Sequence, residues 1–80
     1  MSGTADSRTE FLVEMRGALD DLWYMRCFIE TKRPDGREIS SIQVHDSQIP
    51  IDEERAKTEA RELAASLGHQ ADTMVWDIRK

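Results

Sequence analysis

Apolar residues at Phe11, Leu12, Met15, Ala18, Leu19 and Leu22 fall one, three or four positions apart, so the spacing predicts an amphipathic helix over 7–20. Ser7 and Glu10 have the spacing of a capping box, in which each side chain answers a free backbone N–H of the first turn. Gly17 weakens that helix by ~1 kcal/mol relative to alanine. Asp20 and Asp21 suit the negative end of the helix dipole badly, so the helix is expected to stop there.

The period then changes from helical to alternating. Over 22–31 the chain reads LWYMRCFIET, with Trp23, Met25, Cys27 and Ile29 on one side and Tyr24, Arg26, Phe28 and Glu30 on the other. Alternation with aromatic and β-branched content predicts a strand with one wholly apolar face. Pro34, Asp35 and Gly36 supply the backbone preferences of a tight turn. A returning strand follows over 38–45. Ile42, Val44 and Ser40 share one face there and Ile39 falls on the other, which predicts a bulge near Ser40–Ser41.

Asp52 caps a second helix over 52–67, with Glu53 and Glu54 at its positive end and Ala56, Ala60, Leu63, Ala64 and Leu67 on its buried stripe. Gly68 is its stop. Alternation returns over 72–79, where Met74, Trp76 and Ile78 oppose Thr73, Val75, Asp77 and Arg79. The expected fold class is therefore α+β, in the order α-β-β-α-β. A right-handed crossover places the third strand beside the first, giving a three-stranded antiparallel sheet of order 2-1-3. The second helix covers one face, and the N-terminal helix either folds over the other face or projects to a partner.

Length and charge narrow what such a fold can do. Eighty residues make a single small domain, 1–80, with 1–6 read as a flexible leader. Its stability is on the order of 3–5 kcal/mol, too little interior for a deep cleft of its own. Sixteen acids against eleven bases give a net charge of −5, which disfavours phosphate binding by the whole surface. Only residues 22–45 are basic, with four bases against three acids. No run approaches the ~20 apolar residues of a membrane span, and the start lacks the basic and apolar parts of a secretion signal. The unpaired Cys27 agrees with the cytoplasmic location this implies.

Catalytic and metal chemistry find little support. His45 and Asp46 are neighbours, but adjacent strand residues point to opposite sides, which spoils a base–orienter pair. His45 with Asp46 and His69 with Asp72 flank opposite ends of the second helix, about 25 Å apart at ~1.5 Å per residue. That separation rules out one shared metal site. Cys27 reads as a packed core thiol rather than a nucleophile, because Arg26 points away from it. No cofactor and no enzymatic activity are expected.

What remains is a second apolar sheet face. Tyr24, Arg26 and Phe28, with Leu12, Met15 and Leu19 of the first helix, form the candidate partner-binding set. The expected function is a small non-catalytic protein-interaction module of adaptor or inhibitor type, encoded by a phage or mobile element. It acts as a homodimer or by docking on a larger protein. The alternative is a nucleic-acid-binding module, in which Lys32, Arg33 and Arg37 of the hairpin meet phosphates and Tyr24 and Phe28 stack bases.

Overall fold

A computed structural model describes residues 7–68 and 73–80. The chain forms β1 (Arg8–Gly17), β2 (Trp23–Lys32), β3 (Glu38–Asp46), α1 (Glu53–Ser66) and β4 (Met74–Arg79). The α+β class stands, but the sheet has four strands in the order β3-β2-β1-β4 and is mixed. β1 and β2 pair antiparallel, as do β2 and β3, while β1 and β4 run parallel. The expected leader 1–6, together with His69 and Asp72, lies outside the described residues.

The main correction concerns residues 7–20. They form a central strand, not a helix. Phe11, Val13 and Met15 have no exposed surface, while Glu10, Leu12, Glu14 and Arg16 between them are half-buried. A helix here would have buried Leu12 and left Val13 off its stripe. As a strand between β2 and β4, the segment finds backbone partners on both sides and buries three large side chains in one file. Those gains outweigh a helical spacing spread over little more than one short segment.

The stop expected near Asp20 is a hairpin turn between β1 and β2. The Ala18 amide donates to the Leu22 carbonyl at 2.8 Å, and Asp20 and Asp21 take φ of 60° and 58°. Aspartate tolerates that left-handed region better than most residues. Because β1 occupies the place beside β2, the last strand cannot sit there. It pairs with β1 instead, so the all-antiparallel order 2-1-3 is replaced by the mixed sheet.

The remaining elements follow the chain's punctuation. The β2–β3 hairpin turns at Gly36, whose φ of 90° favours glycine. Its two bulges leave Ile39 and Val44 unmatched, one position or more from the expected site near Ser40–Ser41. Asp52 caps α1, its carboxylate accepting from the Arg55 amide at 2.8 Å. Ala56, Ala60 and Ala64 are buried against the sheet, where small side chains let the helix approach closely. Trp23 and Ile51 bridge by two backbone bonds of 2.7 and 2.9 Å, which seats the start of α1 over the same face.

The core is thus the layer between α1 and the sheet: Phe11, Val13, Met15, Trp23, Met25, Cys27 and Ile51 with the three alanines. Met74 and Trp76 pack against it from β4, and the Arg61 guanidinium lies over the Trp76 ring at 5.6 Å. No helix among the described residues is long and apolar enough to cross a membrane.

Candidate functional site: the open face of the sheet

A crossover from β3 to β4 by way of α1 puts the helix on one side of the sheet. The opposite side carries no helix among the described residues. Strand register lays its side chains out in rows. One row is apolar, Val75–Leu12–Phe28, and ends at Gln43. Next to it runs Asp77–Glu14–Arg26–Asp46. Beyond that lie Arg79, Arg16 and Tyr24. On the other flank of the apolar row sit Glu10, Glu30 and Ser41, then Arg8, Lys32 and Glu38.

Four of the expected contact residues meet on this face. Tyr24 and Arg26 are exposed, and Leu12 and Phe28 are half-buried directly opposite one another. The other two do not join them. Met15 is fully buried on the helix side, because odd-numbered residues of β1 face the core. Leu19 is 84 % exposed in the β1–β2 turn, away from the strand rows. Glu14 and Arg16 belong to the face and are absent from the expected set. The signal was present: Glu10, Leu12, Glu14 and Arg16 alternate with Phe11, Val13 and Met15.

Glu14, Arg16, Tyr24 and Arg26 line a shallow depression of about 280 Å³. Arg16 is fixed at its edge. It donates to the Asp77 carboxylate at 3.0 Å and to the Asp77 and Met15 carbonyls at 2.9 and 3.0 Å. The Arg16 hydrogen bond, with further help from Arg79, holds the Asp77 carboxyl below its ordinary pKa. Arg26 is held far less. Its one ion contact among the described residues is Asp46 at 4.0 Å, and its side chain is 58 % exposed.

Across the depression Glu14 reaches Arg16 at 3.7 Å. At the far end Glu30 has its pKa raised by desolvation and by the neighbouring Glu38.

The hairpin cations of the alternative reading are mostly answered already. Lys32 contacts Glu10 at 3.2 Å and Glu30 at 4.0 Å, and Arg37 contacts Asp35 at 3.7 Å. Arg33 is exposed in the turn. Over the whole face five cations (Arg8, Arg16, Arg26, Lys32, Arg79) stand against six anions (Glu10, Glu14, Glu30, Glu38, Asp46, Asp77). The face is thus near balance in charge.

His45 and Asp46 do point apart. His45 lies opposite Cys27 on the helix side, with a buried Nε2 that has no hydrogen-bond partner among the described residues, whereas Asp46 lies opposite Arg26 on the open side. Asp46 is further occupied by the Gln48 amide at 2.9 Å. Cys27 has no exposed surface. Its thiol donates to the Met25 sulfur at 3.2 Å, and burial pushes its pKa up to about 12. Among the described residues no three histidine, cysteine, aspartate or glutamate side chains gather in a metal-binding arrangement. Comparison with protein-family models, with curated proteins and with solved structures finds no match.

Proposed function

We propose that the chain is a small non-catalytic protein-interaction module that works through the open face of its sheet. The observation that carries this reading is the row Val75–Leu12–Phe28, an apolar stripe across β4, β1 and β2 with no helix over it among the described residues and charged rows on both sides. An apolar centre with a polar rim is the anatomy of a protein contact surface. The rim charges of mixed sign set orientation and exclude wrong partners. The same mixture works against a polyanionic ligand, since each arginine on the face has a carboxylate one row or one strand away.

The test compares the wild type with Phe28→Glu and with Leu67→Glu. Phe28 sits on the open face, and Leu67 is 44 % exposed at the end of α1 on the other side. Proteins of the native host retained by the immobilised wild type are identified, purified and titrated. Phe28→Glu is expected to weaken binding at least about 10-fold, the effect of ~1.4 kcal/mol, while Leu67→Glu leaves it unchanged. Equal binding by the Phe28 variant, loss only in the Leu67 variant, or retention of nucleic acid instead of protein would each overturn the reading.

A further inference from the structure

We infer that the depression between β1 and β2 is a binding site for a free α-amino acid, its carboxylate on Arg26 and its ammonium on Glu14. The site lies beside the apolar row and is independent of what covers that row.

Strand register sets Glu14 directly opposite Arg26, and Arg16 directly opposite Tyr24, and these four side chains line the depression. Opposed side chains of an antiparallel pair start ~5 Å apart, close enough for an ion pair. Glu14 and Arg26 form none. Each leans outward instead, Glu14 towards Arg16 at 3.7 Å and Arg26 towards Asp46 at 4.0 Å, both too long for hydrogen bonds. The side chains of Glu14, Arg26 and Tyr24 therefore make no hydrogen bond among the described residues. Arg16 differs, since its three hydrogen bonds to Asp77 and to the Met15 carbonyl make it a fixed wall.

The charges around the depression choose the ligand. Three cations (Arg16, Arg26, Arg79) stand against three anions (Glu14, Asp46, Asp77). A simple anion gains from Arg26 and loses to Glu14, and a simple cation does the reverse. A dipolar ion gains from both. An α-amino acid carries the two groups on one carbon, so it bridges the gap that Glu14 and Arg26 leave between them. Its carboxylate matches the Arg26 fork, which accepts two parallel bonds. The Arg16–Tyr24 row lies two residues further along, ~7 Å at ~3.4 Å per residue. The ligand's side chain crosses that distance and lies on the exposed Tyr24 ring, which favours an aromatic one. A volume of about 280 Å³ sits at the lower end of the range for small-molecule sites, roughly 300–1,000 Å³, and suits one amino acid. The site is open, so the affinity is low, with a dissociation constant on the order of 1 mM or somewhat weaker.

The experiment is a nuclear magnetic resonance titration of the ¹⁵N-labelled chain with L-phenylalanine at neutral pH and low salt. Saturable shifts are expected at the Arg26 side-chain Nε–H and at the amides of Glu14, Arg16, Tyr24 and Arg26. N-acetyl-L-phenylalanine lacks the ammonium and L-phenylalaninamide lacks the carboxylate, so each should bind about 5-fold more weakly or worse. Two variants assign the charges. In Glu14→Gln, phenylalanine and its N-acetyl form should bind alike. In Arg26→Gln, phenylalanine and its amide should bind alike. Leu67→Glu should bind phenylalanine as the wild type does. Circular dichroism establishes that every variant is folded.

Absence of saturable shifts in the wild type overturns the inference. So does equal binding of phenylalanine and its N-acetyl form by the wild type, which would make the depression a carboxylate site for chain ends. Shifts that persist unchanged in both Glu14→Gln and Arg26→Gln overturn it as well. None of these results bears on the Phe28-dependent retention of a protein partner, which is measured separately.

Discussion

Replacing Val13 and Leu12 by alanine, one at a time, separates the strand from the helix that the same residues allow. Val13 has no exposed surface and lies between Phe11 and Met15 against α1. Val13→Ala deletes two methyl groups there, a transfer loss of about 1.6 kcal/mol at ~0.8 kcal/mol each. A residual cavity of roughly 40 Å³ at ~24 cal/mol per Å³ adds about 1 kcal/mol. Leu12 is half-buried on the open face. Leu12→Ala removes more carbon, but only part of it is shielded, and solvent fills the space, so the cost is about 1 kcal/mol.

Urea unfolding followed by the fluorescence of Trp23 and Trp76 measures both. With m of ~1 kcal/mol/M, Val13→Ala should lower the midpoint by about 2.5 M and Leu12→Ala by about 1 M. Protein is kept dilute so that association on the open face does not contribute. In a helix the order reverses, since Leu12 is on the apolar stripe and Val13 is off it. A loss for Leu12→Ala equal to or greater than that for Val13→Ala, at unchanged m, would refute the strand.

Two further outcomes follow from titrating groups. Cys27 should resist alkylation at mildly alkaline pH until the chain is unfolded, because its pKa is pushed from 9.0 to about 12 by burial. The unfolded thiol ionises first, so stability should fall as pH climbs from 9.0 towards about 12, and rapid labelling of the native protein would refute the burial. Asp77 and Glu30 should show opposite signs. The lowered pKa of Asp77 means its carboxylate stabilises the fold above the ordinary value of 3.8 and ceases to as pH falls through the folded value. Asp77→Asn should therefore cost stability at neutral pH and progressively less in acid. Glu30 has a raised pKa, so its charged form opposes folding above 4.5, and Glu30→Gln should stabilise at neutral pH but not in acid. Melting both variants at neutral and acid pH checks the pair, and effects of the same sign would refute it.

The readable parts of the fold were those whose chemistry is local. Asp52, Glu53 and Glu54 mark the start of α1, and Gly68, with φ of 86°, marks its end, because capping depends on residues within one turn. Trp23 to Ile29 alternate without ambiguity, and Pro34-Asp35-Gly36 allows one kind of connection. Residues 8–17 were misread because Leu12, the one apolar residue on their outer face, completes a spacing of three to Met15 and of four onward to Leu19. Which period wins is decided by tertiary partners, here β2 on one side and β4 on the other. That choice is not encoded within the segment itself. The bulge expected near Ser40–Ser41 was misplaced for a related reason, since a bulge is a property of two strands in register and not of one.

The same misreading explains why half of the candidate site was legible. With residues 7–20 as a helix, Tyr24, Arg26 and Phe28 are an isolated strip that an ordinary fold would cover with that helix. With β1 in the sheet, the segment expected to cover the strip becomes its neighbour, and Leu12, Glu14 and Arg16 double its width. The chain has then spent its only described helix on the core side, because the β3–α1–β4 connection spans two strands and packs on one face. Val75, Leu12 and Phe28 are left in one row that no helix among the described residues covers, by topology and not by a shortage of apolar sequence. Charged rows on both sides keep that face hydrated in a single copy. On the proposed reading they also make association there depend on matching charge as well as on apolar area. On that reading Glu14 and Arg26, opposite in sign and adjacent across the β1–β2 pairing, are the residues placed to discriminate between partners by charge.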